Sequence, residues 1–186
     1  MTAHPSMLIL LGLAAVGVAV GDDGNQHLKR GGWLASRADV APVANATYSE
    51  ECGSCHMAYQ PGLLPSTAWR AILSPDALIN HYGDDASLTG ELRNEISAYL
   101  TANAADRSGG KRAQKFAESR AGADGLPRIS ANPYFVKEHD EIPARLVRDN
   151  PEVVSFSQCN NCHRKAAEGD YSEREINIPG HGPWDD

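Results

Sequence analysis

Every cysteine in the sequence lies in a Cys-x-x-Cys-His unit: Cys52-Gly53-Ser54-Cys55-His56, and far downstream Cys159-Asn160-Asn161-Cys162-His163. On a helical turn, positions i, i+3 and i+4 share a face, so two thiols and an imidazole can converge on one flat ligand. The chemistry this spacing serves is thioether attachment of a porphyrin through its vinyl groups, with the histidine bound to iron. Four cysteines in an exported chain would otherwise suggest two disulfides, with three possible connectivities. A zinc ribbon needs its cysteine pairs closer together, and a thioredoxin-like dithiol needs a strand before the motif. Two copies that consume every cysteine predict two covalently bound haems c, tethered by Cys52 and Cys55 and by Cys159 and Cys162.

With His56 and His163 as proximal ligands, the second axial ligand decides whether each iron carries electrons or binds substrates. Met1 and Met7 fall in the amino-terminal segment, and Met57 adjoins its own proximal histidine and cannot reach the opposite haem face. The remaining histidines are His27, His81, His139 and His181. His81, between the first motif and an amphipathic helix, is the candidate for the first haem. His139 precedes His163 within the second half and is the candidate for the second, although a crossed pairing stays open. His27 and His181, near the two ends, are expected to face solvent. Bis-histidine ligation would give lower potentials than methionine ligation. The carbonyl of Pro65 lies close enough in sequence to accept a hydrogen bond from the His56 imidazole, with an ordinary loop proline as the equal alternative. Trp69, Tyr82 and Tyr99 are expected to pack near the first haem. Arg70 and Arg128 are candidates for propionate pairing, against the default of solvated arginines.

The elements that must position these groups are mostly helical. Leu88, Leu92, Ile96, Tyr99 and Leu100 recur at helical offsets and predict an amphipathic helix over residues 88–101. Residues 66–73 also look helical. Ser74-Pro75 is an N-cap followed by proline at the first helical position, and it should start a short helix that runs to Tyr82-Gly83, with His81 at its end. Residues 142–148 read as a helix stopped by Asn150-Pro151, and residues 157–168 as another with Gly169 just past its end. Strand-like alternation is scarce, so the class is mainly α. Two large apolar macrocycles would supply core material that halves of this size lack, and the apoprotein should fold poorly.

Domain organisation follows from these elements. Residues 1–21 contain no Asp, Glu, Lys or Arg, and the apolar run 7–20 is too short to cross a bilayer, so 1–21 reads as a signal peptide directing the chain to the periplasm. Residues 22–48 should form an irregular lead-in with little chemistry, 49–104 the first haem domain, 105–128 a basic linker and 129–186 the second haem domain. The linker carries Arg107, Lys111, Arg112, Lys115, Arg120 and Arg128 against Glu118 and Asp124, which reads as a solvated charged helix and connection. The 186-residue chain has a net charge of −7, and haem propionates would add to it, so nucleic acid is excluded as a partner.

The sequence resembles the periplasmic dihaem cytochrome c family known as DHC. The likeness rests on the run from Glu51-Cys52 through Met57-Ala58-Tyr59-Gln60-Pro61-Gly62-Leu63-Leu64-Pro65, on His81-Tyr82-Gly83-Asp84-Asp85, on His139 with Ile142-Pro143, on Asn161-Cys162-His163, and on Ile176-Asn177-Ile178-Pro179. It implies a first half like a class I cytochrome c domain, a less regular second half, and bis-histidine haems with His81 and His139 as distal ligands. It also implies an electron carrier between a membrane cytochrome b and a small oxygen-binding monohaem cytochrome; separately, the chain is expected to be a monomer. Two other readings compete with this one: a haem enzyme with one open iron, such as a peroxidase or small-ligand reductase, and a dihaem subunit of a periplasmic reductase.

Overall fold

A computed structural model of the chain describes residues 38–184. The expected signal segment, His27 and most of the lead-in lie outside the described residues.

Helices start where polar side chains can satisfy their open amides. The Asn45 side chain accepts from the Tyr48 amide at 2.6 Å and opens α1 (Ala46–Gly53), which ends inside the first cysteine motif. A 3-10 turn, Pro61–Leu63, leads into α2 (Ser66–Ile72). Ser74 caps α3 (Pro75–Ile79) and Thr89 caps α4 (Gly90–Ala102). α2 packs on α4, and between them and α1 lies a core of Tyr48, Leu64, Trp69, Ile72, Leu78, Ile96 and Leu100. Of the expected apolar stripe, Ile96 and Leu100 are buried on α4, Leu92 and Tyr99 are partly so, and Leu88, also half-buried, precedes the helix.

Beyond α4 the chain forms α5 (Lys111–Lys115) and a small antiparallel hairpin of β1 (Arg120–Ala121) and β2 (Pro127–Arg128). Then follow α6 (Pro133–His139) and α7 (Cys159–Cys162), and finally a second hairpin of β3 (Asn177–Ile178) and β4 (Gly182–Pro183). Helix therefore dominates, as expected. A second core of Val40, Leu63, Ala105, Ala113, Phe116 and Phe135 unites residues from both halves of the sequence. Tyr59 and Ile129 pack against both cores.

Four expectations need correction. α3 ends at Ile79 rather than near Gly83, so His81 sits in a tight turn beyond the helix. The segment 142–148 yields just a 3-10 turn, Ala144–Leu146. The helix expected over 157–168 breaks at His163. There the backbone turns extended to pair with the chain at Ile176, and the Arg164 amide donates to the Glu175 carbonyl at 3.2 Å. The lead-in is also less idle than expected. Asp39 and Val40 donate their amides to the Gly169 carbonyl at 2.9 and 3.2 Å, and Asp39 pairs with Arg112 at 3.4 Å. Arg112 is thus half-buried and partnered rather than solvated. Gly169 has φ +76°, and a β-carbon there would lie 2.2 Å from the Val40 carbonyl oxygen, so this junction requires glycine.

Candidate functional site

The two Cys-x-x-Cys-His motifs each face a histidine from elsewhere in the chain. In the first site, Cys52 lies in the last turn of α1 and His56 follows it in a bend. The His56 Nδ1 is 2.7 Å from the Met57 carbonyl oxygen. A carbonyl only accepts, so Nδ1 carries the proton and the Nε2 lone pair is left for a metal. The Tyr59 ring stacks on His56 with centroids 4.8 Å apart. The His81 ring lies 6.3 Å from that of His56 and is inclined to it by 18°.

The second site repeats the arrangement with different supports. α7 holds Cys159 and Cys162, and His163 is fixed at its end by a bond from its amide to the Cys159 carbonyl at 2.8 Å. His139 ends α6, and its Nδ1 donates to the Phe135 carbonyl at 2.8 Å. Phe135 stacks on the His139 ring at 3.9 Å, and Phe156 meets it edge-on at 5.7 Å. The His139 and His163 rings are 6.1 Å apart and inclined by 69°. They line a cleft of about 660 Å³ that Cys159, Cys162, Phe116, Val147 and Ile178 also wall. That volume falls in the ~300–1,000 Å³ range of cofactor pockets.

Both spacings fit one iron held between two imidazoles. A metal–imidazole bond of about 2 Å, plus about 1 Å from nitrogen to ring centre, doubled, puts the centroids about 6 Å apart. The Nδ1 atoms of His81 and His163 are buried without a hydrogen-bond partner among the described residues. Burial lowers the pKa values of His81, His139 and His163, the last to about 4, so these rings are neutral and able to donate a lone pair. Burial pushes the Cys52 and Cys159 thiols up to about 11, the direction opposite to that of an attacking redox cysteine.

The sequence matches the dihaem cytochrome c family over residues 48–171. The chain belongs to the dihaem cytochrome c family. Its members bind two covalent haems c, and the residues above fit that cofactor at both sites. The chain is similar to a solved dihaem cytochrome c from Shewanella baltica OS155, at 45% identity and a TM-score of 0.62, over 76% of this chain and 98% of that one. It is also similar to a dihaem cytochrome c from Rhodobacter sphaeroides, at 38% identity and a TM-score of 0.59, over 71% of this chain and all of the other. No curated protein matches it.

Within this dihaem cytochrome c, the other candidate residues meet expectation in some cases and depart from it in others. Pro65 does not serve His56: it precedes α2, and its carbonyl accepts the Ala68 and Trp69 amides. Trp69 donates Nε1 to the Pro61 carbonyl at 2.8 Å. The Tyr99 hydroxyl accepts from the Ala44 amide at 2.9 Å. Arg70 is exposed, and Arg128 lies over the Tyr82 ring instead of standing free in solvent. His181 is exposed beside Trp184. Sequence reasoning missed Tyr59, Gln60 and Tyr171 as site residues. Tyr171 lies 5.3 Å from the His163 ring and donates to Gln60 Oε1 at 2.6 Å. Their one early signal was position, since Tyr59 and Gln60 closely follow His56.

Proposed function

We propose that this chain is a periplasmic electron carrier whose irons are both bis-histidine, His56 and His81 on one and His163 and His139 on the other. In this reading Cys52 and Cys55 tether the first porphyrin, and Cys159 and Cys162 the second. The observation that carries it is the pair of imidazole spacings, 6.3 and 6.1 Å, each matching two axial ligands on a single metal. When bound, haem iron supplies a reversible one-electron change, at a potential lowered by histidine ligation.

The chain's own residues hold that iron in a fixed setting. Met57 and Phe135 carbonyls lock two imidazoles in the tautomer that presents Nε2. Phe135 and Phe156 pack against His139, and Tyr171 against His163, which fixes the setting of the second pair of rings. Histidine on both sides leaves no coordination position for a substrate, which favours transfer of electrons over catalysis at iron. Export by the segment 1–21, a membrane cytochrome b as donor and a small monohaem oxygen-binding cytochrome as acceptor complete the proposal, on the strength of the family resemblance.

Electron paramagnetic resonance of the oxidised holoprotein tests the ligation. Wild type should be wholly low-spin, while His81→Ala and His139→Ala should each convert one haem to high-spin. An unchanged spectrum in either variant would remove that histidine from the site.

A further inference from the structure

We propose that Tyr82 is a positioning residue for His81, and that the hairpin of residues 120–128 grips Tyr82 as a latch that keeps His81 on the first site. The inference rests on His81 being an axial ligand.

His81 is held unlike its counterpart. His139 has a helix beneath it and a hydrogen bond from Nδ1 to Phe135, whereas His81 lies in a turn and its Nδ1 has no partner among the described residues. The turn closes with the His81 amide on the Asp84 carbonyl at 2.6 Å and the Asp84 amide on the His81 carbonyl at 3.2 Å. Both central residues are left-handed, Tyr82 at φ +56° and Gly83 at φ +112°, the pattern of a type I′ turn. Glycine, asparagine or aspartate suits the first of these positions, and a bulky tyrosine there is unfavourable. Something must hold it.

The contacts of the side chain supply the reason. The Tyr82 hydroxyl donates a short hydrogen bond to the Pro127 carbonyl. The Arg128 guanidinium lies over the ring, 4.3 Å from its centroid. Asp124, at the tip of the hairpin, pairs with Arg128 and accepts the Leu126 amide at 3.1 Å. The Tyr82 ring also meets the His81 ring at 4.7 Å, nearly edge-on at 67°. A continuous set of contacts therefore runs from Asp124 through Arg128 and Tyr82 to the imidazole. It restrains that ring in addition to the turn itself. Loosening it should let His81 leave the iron more often and admit a small neutral ligand.

Stopped-flow binding of carbon monoxide to the reduced holoprotein reads this directly. In wild type, binding should be slow and limited by departure of a histidine. Tyr82→Gly suits the left-handed backbone and removes the grip, so it should bind carbon monoxide about tenfold faster or more, at one haem of the two. Arg128→Ala, a change at a part-exposed position, should shift the rate in the same direction, and Tyr82→Phe should fall between. The second haem should keep its wild-type rate and low-spin spectrum, which separates a local latch from general loosening. His81→Ala is the reference for an opened first site. If it binds carbon monoxide rapidly while Tyr82→Gly and Arg128→Ala behave as wild type, the latch is wrong and the ligation stands. Equal acceleration at both haems would also overturn the latch. If His81→Ala itself binds at the wild-type rate, the ligation fails and the latch with it.

Discussion

The two pairs of imidazoles share a spacing but not an orientation, and that difference has consequences at the level of single residues. The rings of His56 and His81 are inclined by 18°, those of His139 and His163 by 69°. If both rings of each pair bind iron as proposed, their planes would decide which iron d orbitals receive ligand electron density. Near-parallel planes split those orbitals strongly, and near-perpendicular planes leave them close in energy. The oxidised protein should therefore show two distinct low-spin resonance signals, with the larger maximal g value at the second site. His139→Ala should abolish that signal and leave the other. A single signal shared by both haems would mean that the ring orientations converge when the protein is loaded. The orientations have local causes: His139 lies against Phe135 with its Nδ1 tied one turn back along α6, while His81 is set by a turn.

At the scale of elements, the parts legible in the sequence were those fixed by neighbours along the chain. Ser74-Pro75 announced α3, and the apolar stripe 88–100 announced α4, because caps and periodicity are local signals. Both metal-binding motifs were equally plain, since their ligands lie within five consecutive residues. What the sequence hid was set by distant partners. The run 157–168 has no breaker at His163, yet the helix stops there because residues 175–176 offer backbone pairing. The turn at Tyr82 carries no turn signal at its first central position, and its side chain is accounted for by a hairpin some forty-five residues on. Asn132, too, is both local and remote. Its oxygen accepts from the Tyr134 and Phe135 amides to start α6, and its nitrogen donates to the Glu118 carbonyl at 2.7 Å. It is fully buried, so Asn132→Ala removes a cap and strands a carbonyl, costing about 2 kcal/mol or more. Because α6 ends in His139, the thermal midpoint should drop, and a high-spin fraction should appear at the second haem first. An Asn132→Ala protein with wild-type melting would show that α6 is anchored by its packing alone.

Across the whole molecule, the two haem sites are joined through a short stretch that begins three residues after His56. Tyr59 stacks on His56 and donates its hydroxyl to the Ser157 carbonyl at 2.8 Å, two positions before Cys159. Gln60 is fully buried, and its nitrogen donates to the Ala166 carbonyl at 2.6 Å while its oxygen accepts from Tyr171, the ring beside His163. A residue of the first motif's own segment thus organises the proximal side of the second site. Gln60→Leu keeps the volume and removes both bonds, leaving a buried hydroxyl and a buried carbonyl at about 1–3 kcal/mol each. For a chain of this length that should lower the melting temperature by about 5 °C or more. The spectroscopic effect should be lopsided. Redox titration should move the potential of the second haem, which lies beyond Tyr171, and leave that of the first near its wild-type value, although Gln60 is only four residues from His56. Tyr171→Phe should reproduce the potential shift with a smaller loss of stability, since it strands the Gln60 oxygen but keeps the Ala166 bond. If Gln60→Leu moved the first potential instead, the bridge would act through Tyr59 and the backbone, and the two sites would be coupled in the opposite sense.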